Sequence, residues 1–228
     1  MSHAKYLKII SIVVILSLAA SVSAEEPSLN LLTRAIQSAV TLNHSQTSAK
    51  PIFVRHCRSA QKGCGARMEA FAQYFVEAGK RFDLDPWLLA AMAFRESGLD
   101  PFAKGSVGER GLLQMHPQSP WGRRIRFVKD ERYRKICKKQ AGACQRELVQ
   151  RAADLLSRSV RFCDGDLNAA LGSYNTGRCG GNPDYARRVI DQRDQLRKSV
   201  GLPATKPKRS AFLPMQASRM QKNSASTN

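Results

Sequence analysis

The strongest constraint on the fold is an apolar pattern of helical period that recurs along most of this 228-residue chain. From Gly65 to Phe82, one helical face carries Met68, Phe71, Ala72, Phe75 and Val76. In a later segment the same spacing brings together Leu148, Ala152, Leu155, Leu156 and Val160. No segment shows a convincing alternation of apolar and polar residues, which is the pattern of a strand. The sequence therefore predicts a mainly α-helical domain.

One of the predicted helices has clear start and stop signals. Asp85 is suited to the N-cap, Pro86 to the first helical position, and Gly98 to the end of the helix. Its buried face is predicted to contain Leu88, Leu89, Met92 and Ala93. Glu96 is therefore expected in the last turn of a strongly apolar helix.

The first 24 residues are predicted to be a cleaved signal peptide. A short basic start precedes an apolar run from Ile9 to Ala20, and small residues follow at positions 21–24. The run is short for a membrane span. The alternative is an uncleaved N-terminal anchor, which is less favoured because Glu25 follows at once. We expect an exported protein with no stable membrane insertion after cleavage.

The rest of the chain divides into three predicted regions. Residues 25–53 are expected to form a leading helix and a linker, and residues 54–199 the folded domain. Residues 200–228 have no apolar period and contain several prolines, lysines and arginines, which predicts a basic disordered tail.

The chain is strongly basic. Its formal net charge is +19, and loss of the two signal-peptide lysines leaves +17. Such a field favours polyanions, namely nucleic acid, an anionic membrane or an acidic wall polymer, although charge also serves general solubility. Because export disfavours nucleic acid, we expect no nucleic-acid partner.

Six cysteines in an exported chain indicate disulfides. Six cysteines allow fifteen pairings, so the connectivity stays open. Pairing of sequence neighbours predicts Cys57–Cys64, Cys137–Cys144 and Cys163–Cys179. No Cys-x-x-Cys occurs and the four histidines form no ligand cluster, so we expect neither a metal nor another cofactor.

Glu96 is the main candidate for chemistry. Most helical glutamates are solvated charges, but Glu96 follows the apolar residues 87–94 at the negative end of a helix dipole. Desolvation and the dipole are both expected to raise its pKa. A carboxylic acid that stays protonated near neutral pH is suited to donating a proton to a glycosidic oxygen.

A series of short motifs gives this glutamate a context. The series comprises Glu96-Ser97, Asp100-Pro101, GLLQMHP at residues 111–117, SYNTG at residues 173–177 and YARRV from Tyr185. In this order and spacing it resembles the lytic transglycosylase domain of the soluble lytic transglycosylase type, a relative of goose-type lysozyme. The resemblance covers roughly residues 68–195.

The resemblance implies a lysozyme-like α-helical fold with a groove for glycan, in which Glu96 is the catalytic residue. The positions that match groove-lining residues are Ser106, Gln114, Tyr174, Asn175 and Tyr185. Each has a local alternative. Ser106 could satisfy a turn and Gln114 the backbone. The two tyrosines could be core residues, and Asn175 could mark a helix end.

The implied reaction cleaves the β-1,4 bond between N-acetylmuramic acid and N-acetylglucosamine and leaves a 1,6-anhydro end. Glu96 acts first as acid and then as base. One alternative is a lysozyme-like hydrolase, in which Asp100 or Glu109 activates water. Glu109 stands where the family more often has a small residue. The other alternative is a non-catalytic, basic wall-binding module.

The expected partner is the peptidoglycan glycan strand, bound by a monomer in the periplasm or outside the cell; association with cell-envelope machinery stays open. The basic segment from Trp121 to Cys144 looks like an insertion without a family role. Its Arg123, Arg124, Arg126 and Lys129 form either a wall-contacting patch or a solvated loop.

Overall fold

A computed structural model describes residues 26–46, 63–138 and 141–204. Within these ranges every regular element is a helix, which confirms the predicted fold class. The α-helices are α1 (Glu26–Gln46), α2 (Gly63–Phe82), α3 (Pro86–Ser97), α4 (Arg126–Lys129), α5 (Glu131–Cys137), α6 (Ala141–Phe162), α7 (Leu167–Thr176) and α8 (Pro183–Lys198). A 3-10 turn, Gly122–Arg124, precedes α4.

Helix α3 lies at the centre of the domain, packed against α2 and α8. The predicted apolar stripe is buried, and so are Trp87, Ala90 and Ala91, so that every residue from 87 to 93 is buried. A helix that is apolar all round has to be enclosed by other elements. Around it, α6 packs against α2 and α7, and α7 against α8. Glu96 therefore lies in the last turn of an enclosed helix, where the side chain is only partly buried.

The predicted ends of α3 are confirmed. The Asp85 carboxylate accepts a hydrogen bond of 2.9 Å from the backbone N–H of Trp87, and Pro86 occupies the first helical position. At the other end Gly98 has a φ of 60°, and its N–H donates to the carbonyl of Phe94. This left-handed cap fixes where α3 stops and therefore where Glu96 stands.

Two of the predicted disulfides are confirmed, Cys137–Cys144 and Cys163–Cys179. Cys64 is also disulfide-bonded, and its predicted partner Cys57 lies outside the described residues. The first bond joins the end of α5 to α6. The second joins the end of α6 to the loop after α7, so both tie connecting segments to the longest helix.

The predicted signal peptide and most of the predicted tail lie outside the described residues. Within the described part, no helix is both long and apolar enough to cross a membrane.

Candidate active site

The candidate site contains a hydrogen-bonded pair formed by Glu96 of α3 and Tyr185 of α8. The Tyr185 hydroxyl donates a hydrogen bond of 2.5 Å to Oε1 of Glu96, which is partly buried. Tyr185 is only 6% exposed, and its backbone N–H donates to the side chain of Asn182, the N-cap of α8. The other carboxyl oxygen of Glu96, Oε2, has no hydrogen bond to any described residue. The geometry thus fixes one oxygen and leaves the other available for a reaction.

The environment of Glu96 favours its protonated form. Burial raises the pKa of this carboxyl from its ordinary 4.5 to about 7. The Tyr185 hydrogen bond opposes that rise because it stabilises the carboxylate. The negative charge of Glu109 adds to the rise, and Arg95 lowers the pKa. Near neutral pH, Glu96 therefore exists in comparable amounts as acid and as carboxylate.

Glu109 is the second carboxylate near the site. Its Oε2 accepts a hydrogen bond of 3.3 Å from the N–H of Val107. It lies directly over Gly105, where a Cβ atom would collide with the carboxylate. Because Gly105 has no Cβ, the Glu109 carboxylate can occupy that space. The negative charge of Glu109 raises the pKa of Glu96.

Asp100, the other acid considered for water activation, has a different environment. It is 6% exposed, and its Oδ1 accepts a hydrogen bond of 2.8 Å from the N–H of Phe102. Its charge also acts on buried Arg67, whose pKa is lowered mainly by desolvation and raised by Asp100. This acid is enclosed in the fold beside a cation, which argues against a role as the base that activates water.

The segment from Ala103 to Met115 is held against the end of α3 by side chains. The Ser97 hydroxyl lies 2.9 Å from the carbonyl of Leu112. Gln145 of α6 is fully buried; its Oε1 accepts from the N–H of Leu112 at 3.1 Å, and its Nε2 donates to the carbonyl of Pro101 at 3.1 Å. These bonds satisfy backbone groups that the loop buries.

Gln145 was not predicted as a functional position. The available signal was its register, because it lies three residues before Leu148 and seven before Ala152 on the buried face of α6. A polar residue at a core position needs a partner. The sequence could not show that this partner was the loop beside Glu96.

Gln114 lies inside this loop. Its Nε2 donates to the carbonyls of Gly111 at 2.9 Å and Ala103 at 3.3 Å, so the backbone alternative accounts for its amide nitrogen. Its own φ of 43° is in the left-handed region, as is the φ of 64° at fully buried Leu99. Such backbone costs on the order of 1–3 kcal/mol per residue and is maintained by the surrounding contacts.

Tyr174 of α7 joins the same loop. Its hydroxyl donates to the carbonyl of Leu113 at 2.8 Å and lies 3.5 Å from the sulfur of Met115. Desolvation raises the pKa of Tyr174 well above its ordinary value, and the Glu96 charge raises it further. Tyr174 is therefore a neutral hydrogen-bond donor at pH 7, and it is close enough to Glu96 for the charge of that carboxylate to raise its pKa.

The two remaining predicted site residues lie further out. Asn175 is exposed, and its Oδ1 accepts a hydrogen bond of 2.8 Å from Nδ2 of Asn182, so it links the end of α7 to the start of α8. Ser106 is exposed and makes no hydrogen bond to any described residue. The fold thus groups Glu96, Tyr185, Tyr174 and the loop, and leaves these two at the edge.

Within the described residues, no group of three or more His, Cys, Asp or Glu side chains is placed to hold a metal ion.

Among known protein families, the model described as Transglycosylase SLT domain matches residues 73–188, which is just over half of the chain. The match includes Glu96, Tyr174, Tyr185 and the loop between α3 and the 3-10 turn. Comparison with curated proteins found no match, and comparison with solved structures found none either.

Proposed function

Because this chain belongs to the Transglycosylase SLT domain family, whose members are peptidoglycan lytic transglycosylases, we propose which bond it cleaves and which residue cleaves it. The bond is the β-1,4 linkage between N-acetylmuramic acid and N-acetylglucosamine. The catalytic residue is Glu96. The observation that carries the proposal is a partly buried carboxyl with a pKa of about 7, hydrogen-bonded on one oxygen by Tyr185.

In the first step Glu96 donates its proton to the bridging oxygen. The bond from the anomeric carbon of N-acetylmuramic acid to that oxygen breaks, and N-acetylglucosamine leaves with a new hydroxyl. The substrate's acetamido group shelters the cationic carbon. The Tyr185 hydrogen bond stabilises the carboxylate that Glu96 has become.

In the second step the sugar's own 6-hydroxyl attacks the anomeric carbon, and Glu96 takes the hydroxyl proton. The product is a 1,6-anhydro end, no water is consumed, and Glu96 is protonated again. An attacking group that belongs to the same sugar replaces a bimolecular step and lowers the entropic part of the barrier. One carboxyl therefore serves both steps. Tyr174, Asn175 and Gln114 are proposed to hold the sugar.

The test is mass spectrometry of the products released from purified sacculi. Anhydro ends, lighter than reducing ends by one water, are expected from the wild type. Glu96→Gln is expected to release neither, since an amide has no acidic proton to donate. The matched control is Glu69→Gln, which makes the same change at an exposed position of α2 and should retain activity.

A hydrolase is the second candidate, and Glu109 is the observation that favours it. Its charge acts on Glu96, so it stands where a second carboxylate could activate water. Reducing ends as the main product would establish hydrolysis and refute transglycosylation. Equal clearing of a peptidoglycan gel by wild type and Glu96→Gln would refute the role given to Glu96. No clearing by the wild type would favour a binding module.

We also propose that the enzyme acts in the periplasm. Its disulfides support this because such bonds persist in oxidising compartments.

A further inference from the structure

Residues 121–138, here called the basic segment, carry a large excess of positive charge. The segment contains eight lysines and arginines and two acids. Both acids are already paired, Asp130 with Arg126 at 3.5 Å and Glu131 with Lys135 at 3.6 Å. The exposed cations that have no ion pair to any described residue are Arg123, Arg124, Lys129, Arg132 and Lys138. A surface that serves only solubility usually mixes charges of both signs. In the basic segment both acids are in ion pairs, so no acid remains to neutralise these five cations.

An open depression of about 560 Å³ lies within this segment. The residues that line it are Lys129, Asp130, Glu131, Arg132 and Lys135. Because the acids are engaged with Arg126 and Lys135, the depression presents two uncompensated cations, Lys129 and Arg132. Its volume is in the range of ligand pockets, and its free charges select an anionic ligand.

The frame that carries these cations is fixed at several points. Arg134 donates from Nη1 to the carbonyls of Phe127 at 3.0 Å and Val128 at 2.8 Å. Phe127 is 1% exposed, and the centroid of its ring lies 5.8 Å from that of Phe102. The Cys137–Cys144 bond anchors the end of the segment to α6. Fixed positions lower the ordering cost of binding.

The segment is also joined to the loop beside Glu96. The Ser119 hydroxyl donates to the carbonyl of His116 at 2.8 Å and accepts from the N–H of Gly122 at 2.9 Å. Arg110 of the loop adds a like charge near Arg134, whose pKa is lowered by desolvation first and by Arg110 second. The positive field of the basic segment therefore continues to the loop.

We propose that the depression around Lys129 and Arg132 binds carboxylates of peptidoglycan stem peptides and so holds the wall beside the cleavage site. This rests on the proposed function for the identity of the polymer. The glycan carries lactyl groups from which peptides extend, and the free carboxylates of those peptides are the charges that complement the two cations. A second contact on the same polymer raises the effective concentration of strands at Glu96.

Binding can be measured without catalysis. Cosedimentation with purified sacculi is measured for the full chain carrying Glu96→Gln, and then for the same protein carrying K129Q/R132Q as well. The matched control adds K198Q/R188Q, which removes one lysine and one arginine from exposed positions of α8. We expect K129Q/R132Q to weaken binding roughly fivefold relative to that control, the effect of losing two exposed ion pairs.

A second arm identifies the ligand group. Sacculi whose carboxyls have been converted to amides should bind the Glu96→Gln protein at least as weakly as intact sacculi bind the K129Q/R132Q variant. Equal binding by K129Q/R132Q and K198Q/R188Q, or undiminished binding to amidated sacculi, would overturn the proposal. The same proteins are also sedimented with vesicles of anionic phospholipid. If K129Q/R132Q weakened binding to the vesicles and not to the sacculi, the proposal would also be overturned. Because this experiment measures binding and analyses no product, a failure here is distinct from a failure to detect anhydro products.

Discussion

Replacement of Glu96 by glutamine should stabilise the protein at neutral pH and leave its stability nearly unchanged at pH 4. Burial holds the pKa of Glu96 at about 7 in the folded chain, against 4.5 for an ordinary glutamate. The folded state therefore binds this proton more tightly than the unfolded state. The penalty for ionising Glu96 is absent below about pH 4.5, grows as the pH rises, and is complete above about pH 7.

The magnitude follows from the two pKa values. Each unit of difference corresponds to about 1.4 kcal/mol, so the full penalty is about 3 kcal/mol, of which about 2 kcal/mol is present by pH 6. It is an upper figure, because Glu96 is partly exposed and water screens its charge. Glutamine has nearly the shape of the protonated acid and does not titrate. The gain in unfolding free energy of Glu96→Gln should trace this curve.

The assay is denaturant unfolding at pH values from 4 to 8 with the disulfides intact, analysed by linear extrapolation. Glu69→Gln is the control, because it makes the same change in net charge at an exposed position. Its stability difference from wild type should vary little with pH. A flat difference for Glu96→Gln, or an equal rise for both variants, would refute the claim that burial raises the pKa of Glu96.

Three further predictions concern the surroundings of Glu96. Tyr185→Phe removes the hydrogen bond that lowers the Glu96 pKa, so the alkaline limb of the pH–rate profile should move to higher pH, with a loss of activity of roughly tenfold; an unmoved limb would contradict this. Glu109→Gln removes a charge that raises the same pKa, so the limb should move the opposite way, and a shift in the same direction as Tyr185→Phe would refute the electrostatic account. Gln145→Ala leaves the buried partners of its side chain unsatisfied and should lower the unfolding free energy by about 2–4 kcal/mol. Gln73→Ala at an exposed position should have little effect in the same unfolding assay, and equal losses would contradict the role given to Gln145.

The ion pairs show which of the many cations of this chain are free to bind an anionic ligand at the depression. Composition alone gave an excess of cations, which suits many polyanions. The pairing of Asp130 and Glu131 reduces the free charge of one depression to Lys129 and Arg132. This turns a general attraction into a defined pair of exposed residues whose substitution tests it.

Local sequence patterns predicted the features whose causes lie within a few residues. Asp85, Pro86 and Gly98 set the ends of α3, because caps are interactions with backbone groups in the adjacent turn. Apolar periodicity indicated the helical class and the enclosed helix whose last turn carries Glu96. Pairing of sequence neighbours, one of fifteen possible connectivities, predicted the Cys137–Cys144 bond that the structure contains.

Which distant side chains meet depends on how the helices pack against one another. Tyr185 reaches Glu96 across 89 positions because α8 packs against α3, and nothing local to either residue favours that bond over a satisfied core hydroxyl. Gln145 serves a loop 33 positions away for the same reason. Asp100 and Glu109 are similar in sequence terms, but burial encloses the first while the bare backbone at Gly105 makes room for the second. Local preference fixes helices and their ends, whereas the burial and partners of a side chain are set by packing between elements.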